Sequence, residues 1–120
     1  MKFTIPMVPP SDNKFKGRKN VWEYRELKKE WLETVMAICR PRPKEPIKKA
    51  VVTITYFFKT RSRHDPDNYS GKFILDGLVE GGILADDSFD NITLQLAGNY
   101  DSKNPRTEVV IEAISEDSSN

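Results

Sequence analysis

IKKAVVTITYFFKTRSRHDPDNYSGKFILDGLVEGG, residues 47–82, carries the pattern that decides the fold. Its first third alternates. Val52, Ile54, Tyr56 and Phe58 fall on one side of an extended chain, and Val51, Thr53, Thr55 and Phe57 on the other. β-Branched and aromatic residues at this period predict a strand over 47–58. Apolar groups on both sides place it in the middle of a sheet. The last third has a different period. Ile74, Leu75, Leu78, Val79 and Ile83 form the stripe of a helix with one buried side, and Gly81-Gly82 ends it. Asp65 before Pro66 has the form of a helix N-cap with proline in the first turn, so this helix is predicted to begin near Asp65.

The flanking segments extend the pattern. Residues 2–7 alternate, with Phe3 and Ile5 on one side, and predict a strand that Pro6 confines to an edge or an early end. The stretch PPSDNKFKGRKN has no periodicity and reads as a loop. A helix is predicted from Asn20, which forms a capping box with Glu23, and its stripe is Tyr24, Leu27, Trp31, Val35 and Ile38. Pro41, Pro43 and Pro46 stop it. Downstream, Ile92, Leu94 and Leu96 mark one strand and Val109, Ile111 and Ala113 another, with Asn104-Pro105 in the turn between them. The order β-α-β-α-β-β predicts an α/β (α+β) domain over residues 1–115, with helices packed on a mixed sheet. Residues 116–120 are expected to be a disordered tail.

At 120 residues the chain suits one domain. The formal net charge is only +1, but the basic residues are clustered. Lys14, Lys16, Arg18 and Lys19 form one group, and Lys59, Arg61, Arg63 and His64 another, so a basic face can lie beside an acidic site. Cys39 is the one cysteine, so no intrachain disulfide can form. One cysteine and one histidine also exclude a zinc site of the usual kind. A metal here would be held by oxygen, which favours magnesium, with manganese as a substitute. With no signal sequence and no bilayer-spanning run in this sequence, a cytoplasmic protein without a membrane partner is expected.

The chemistry-bearing residues are acidic. Asp65 and Asp67 flank Pro66 at the end of the predicted central strand, where α/β folds tend to place their sites. Asp86 and Asp87 follow the helix and its glycine turn. Taken singly, Asp65 is a helix cap and Asp86-Asp87 a polar turn. Taken together, carboxylates brought close repel, by about 4 kcal/mol for two charges at roughly 4 Å and an effective dielectric near 20. A divalent cation removes that penalty. A calcium loop does not fit the same residues. Its fifth position would be Tyr69, its glycine falls one place late at Gly71, and its twelfth residue is Asp76 and not glutamate. Lys72 is either a solvated lysine or a cation placed to steady charge on a scissile phosphate. His64 is a candidate phosphate contact.

The run Arg63-His64-Asp65-Pro66-Asp67-Asn68, then Lys72, Asp76-Gly77-Leu78, Gly81-Gly82 and Asp86-Asp87, resembles the RusA family of Holliday junction resolvases. The opening Pro9-Pro10-Ser11 with Asn13, and the strand from Glu108 to Ile111, resemble it too. The spacing from Asp67 to Lys72 is one residue longer than in the best-known members.

The resemblance implies an endodeoxyribonuclease that resolves four-way junctions by paired nicks in DNA recombination and repair. Asp65, Asp67 and Asp87 would be the magnesium ligands, Asp86 would lie beside them, and Lys72 would be the catalytic lysine. It implies a homodimer, since a four-way junction has approximate two-fold symmetry and two nicks need two sites. Lys14, Lys16, Arg18, Lys19, Arg61, Arg63 and His64 would contact backbone phosphates. A phage-derived origin is expected by the same likeness. Two alternatives stand beside it: a nuclease of this fold acting on flaps, nicks or single strands, and a DNA-binding protein without catalysis.

Overall fold

The computed structural model describes residues 1–11 and 21–115. Lys14, Lys16, Arg18, Lys19, the Asn20 cap and the 116–120 tail lie outside the described residues. Strand β1 spans Lys2–Ile5, helix α1 Val21–Ile38 and strand β2 Ala50–Phe58. A single 3₁₀ turn covers Pro66–Asn68, helix α2 runs from Lys72 to Glu80, and strands β3 and β4 are Ile92–Tyr100 and Arg106–Ala113. The elements form one four-stranded mixed sheet, order β1-β4-β2-β3, with two helices. The α+β reading therefore holds.

β2 is central, as its two-sided apolar pattern requires. It pairs antiparallel with β4 and parallel with β3. Along it, Ala50, Val52, Ile54, Tyr56 and Phe58 are buried and the intervening residues half-buried. α1 lays Trp31 and Val35 into the core, with Tyr24, Leu27 and Ile38 packed at its margin. Its last residue, Ile38, precedes the proline-rich connector as expected. Cys39 sits at the end of this stripe. Burial pushes its thiol up to about 11, which keeps it protonated and unreactive near neutral pH.

Three boundaries differ from the sequence reading. β1 ends at Ile5, before Pro6, and β2 begins at Ala50, after the Ile47–Leu84 bridge. The second helix does not begin near Asp65. Asp65 precedes only the 3₁₀ turn and makes no side-chain cap, and α2 starts at Lys72. Gly71 is the cause, because its φ of +84° breaks helical geometry between the two. Ala113, assigned to the inner side of the last strand, is exposed where β4 runs out of the core.

α1 and α2 meet at Gly77. A Cβ there would stand 2.5 Å from the Cβ of Val35, which is fully buried. Helix propensity alone would favour alanine by about 1 kcal/mol. Overpacking against a stiff β-branched side chain outweighs that gain, so Gly77→Ala should destabilise the fold by about 2 kcal/mol net. Thermal melting would check this, with an expected fall of about 8 °C. An unchanged or raised melting temperature would show that the helices can separate at little cost.

Candidate active site

The parallel pairing of β2 with β3 controls where the aspartates lie. Parallel neighbours need a crossover, and α2 supplies it. The chain leaves β2 at Phe58, passes Asp65 and Asp67, and returns along α2 to the other end of the sheet before β3 begins. Hydrogen bonds fix that return. Ile47 N–H donates to the Ile83 carbonyl at 2.9 Å, Asn91 Nδ2 donates to the Lys48 carbonyl at 2.9 Å, and Ala50 pairs with Ile92. Asp86 and Asp87 therefore stand by the start of β2. Asp65 and Asp67 stand by its end, where the His64 ring lies on Phe58. Nine residues of strand separate these levels, roughly 26 Å at about 3.3 Å per residue.

At the far end of β2, Arg63 Nε donates to Asp65 Oδ1 at 3.0 Å. That hydrogen bond and the carboxylate charge raise the Arg63 pKa above its usual value. Both groups face solvent, so the pair fixes orientation more than it adds stability. Asp65 also lines a cavity with Tyr56, Phe58, His64 and Tyr69. Asp67 is exposed in the 3₁₀ turn, and Lys72 is exposed at the first residue of α2.

At the near end, Asp86 Oδ1 accepts the Asp87 backbone N–H at 2.8 Å. Asp87 lines a second cavity, of about 200 Å³, together with Asp76, Glu80 and Lys28. Asp76 Oδ2 is buried and has no hydrogen bond among the described residues. Lys28 Nζ is 3.7 Å from it, near enough for ion pairing but longer than a good hydrogen bond. Sequence reasoning missed Lys28 because it lies on the polar side of α1, with no local pattern to mark it. It also missed that Tyr56 and Phe58, read as plain strand residues, and Tyr69 surround Asp65.

The four aspartates named from the sequence thus fall into two groups. Among the described residues, no three His, Cys, Asp or Glu side chains are grouped so as to hold a metal ion. Their donors are all oxygens, which suits magnesium or manganese. A single chain does not collect them.

Comparison with known proteins supplies the family. Residues 6–112 match the family model described as endodeoxyribonuclease RusA. The chain belongs to the RusA endodeoxyribonuclease family. The match begins just after β1, runs from α1 through all but the last residue of β4, and includes each aspartate and the lysine of the motif. No curated protein matches the chain. No helix among the described residues is long and apolar enough to cross a membrane. Membership in the RusA family places the chain among phosphodiester hydrolases that cut within DNA.

Proposed function

We propose that this chain resolves four-way DNA junctions by paired nicks, as a magnesium-dependent two-fold dimer whose two sites are each shared between copies. The match of residues 6–112 to the RusA family carries the reading. The placement of the aspartates in the fold supports the sharing. Asp65 and Asp67 lie by one end of β2 and Asp87 by the other, so a two-fold axis that sets two sheets end to end brings one copy's Asp65 and Asp67 to the other's Asp87. It forms two such groups at once, as two nicks require.

Asp65, Asp67 and Asp87 would hold the cation, with Asp86 orienting Asp87 through its backbone N–H. Magnesium, when bound, supplies shielding of the phosphate charge and acidifies water. The chain's own groups do the rest. Arg63 holds Asp65 in one orientation. Lys72, free in solvent at the start of α2, is placed to balance charge on the phosphate or the leaving oxygen. Lys59, Arg61 and Arg63 in the loop after β2, with Lys14, Lys16, Arg18 and Lys19 from the basic group earlier in the sequence, would bind backbone phosphates without base readout. His64 is stacked on Phe58 and would join them through its ring edge. The setting is cytoplasmic.

Matched four-way, flapped, nicked and plain duplex substrates test the reading. Four-way DNA should be cut in two opposed strands, with magnesium or manganese and not in a chelator. Binding without metal should weaken steeply as salt rises. Faster cutting of flaps or single strands would reassign the substrate within the same fold. Metal-independent binding with no cutting of any substrate would leave a DNA-binding protein.

A further inference from the structure

We infer that the groove at the end of β2 and β3, next to Asp65, receives one unstacked nucleotide of the DNA; this rests on the DNA-cutting reading above. Phe58 and Tyr100 are register partners, so they end the two strands side by side. Each carries a planar cover from the loop after β2. The His64 ring lies flat on Phe58, with centroids 3.8 Å apart and planes 5° from parallel. The Arg61 guanidinium lies 4.3 Å over the Tyr100 ring centre. Gly98 is on the same side of β3 as Tyr100 and carries no side chain, which leaves a trough between these groups. The trough has a volume of about 460 Å³, within the range of roughly 300–1,000 Å³ usual for small-molecule sites. The Thr60 and Ser62 hydroxyls, 2.8 Å apart, complete its rim.

This combination selects a nucleotide. The exposed Tyr100 ring and the half-buried His64 ring, which caps the buried Phe58, offer flat faces to a base, an arginine bridges ring and phosphate, and hydroxyls suit a sugar. Contacts to an intact duplex backbone would need the cation and hydroxyls but no ring. An apolar side chain would need the rings but neither of the others. The groove shares His64, Phe58 and Gly98 with the cavity that Asp65 lines, so the bound base lies next to the candidate cutting site. Extruding a base costs least where pairing is already interrupted, which is the condition at a branch point. The groove would therefore couple cutting to branched structure through a base that duplex DNA keeps stacked.

A four-way junction with 2-aminopurine beside the branch point, bound without divalent metal, tests this. Binding should change the probe's fluorescence, and the same probe within an arm should not respond. Tyr100→Ala and Gly98→Val, the first removing a ring and the second filling the trough, should each abolish the change. Each should also weaken junction binding about tenfold, toward the low end for losing one base–ring stack. Tyr100→Phe should retain the signal, and melting curves for all three variants would verify folding. Full fluorescence change in both folded groove variants, or none in the wild type despite junction binding, overturns the inference alone. Failure of the wild type to bind any branched DNA overturns it together with the reading it rests on.

Discussion

Asp67→Asn should stop cleavage of a four-way junction while leaving the junction bound. Asp67 is exposed in the 3₁₀ turn and reaches no core residue, so an isosteric amide costs the fold little, within about 0.5 kcal/mol. What changes is charge. An amide is a poorer ligand for a hard divalent cation than a carboxylate. Residues that merely orient a metal ligand typically cost about ten- to a hundredfold in activity when replaced. Loss of a ligand itself should exceed about a hundredfold. Removing one negative charge from beside the basic loop should leave phosphate binding intact or slightly stronger. Gel-shift titration without metal, paired with nicking assays in magnesium, separates the two effects. Unchanged nicking would remove Asp67 from the site, and parallel loss of binding and nicking would make it a DNA contact.

The sequence carried the parts of the fold that depend on local period. Alternation through Val52 to Phe58 was enough to place β2 in the middle of the sheet, because only a strand covered on both sides uses apolar residues that way. The stripe from Ile74 to Leu78 likewise defined α2. Its start was misread for a physical reason. Asp65-Pro66 has the chemistry of a helix cap, but that turn closes after Asn68, and Gly71 resets the backbone before α2 begins. Strand order was beyond local reading. β4 inserts between β1 and β2 through pairings far apart in sequence, such as Lys2 with Val110 and Ala50 with Ala113.

The candidate site was legible as composition and not as geometry. Charge repulsion gave the aspartates a reason to share a cation, but the pairing direction of β2 and β3 decides where they stand. Had β3 run antiparallel to β2, the chain would have entered it by the end where Asp65 lies, and Asp87 would have been its neighbour in the same chain. Parallel pairing sends Asp87 to the other end. The basic residues have a similar history. Arg61 and Arg63 look equivalent in sequence, yet Arg63 is held by Asp65 and Arg61 by the ring of Tyr100. The two arginines therefore serve different neighbours, one at the acidic group and the other at the groove.

That arrangement makes a second large effect testable. Dimers that combine one Asp65→Asn chain with one Asp87→Asn chain should recover nicking that neither variant shows alone. If each site takes Asp65 from one copy and Asp87 from the other, both sites of either pure variant contain one defect. In the mixed dimer the two defects fall in the same site and the other site is whole. Co-expression with a different affinity tag on each chain, followed by purification through both tags, isolates that species. It should nick at about half the wild-type rate, one intact site in place of two. It should also produce singly nicked junctions and few resolved duplexes, because the opposed strand has no working site. Sites built within single chains would behave differently. Each would then carry one substitution in the mixed dimer, and nicking would stay at the level of the pure variants. The assay therefore reads the consequence of parallel β2–β3 pairing directly, through which strand is cut and how often.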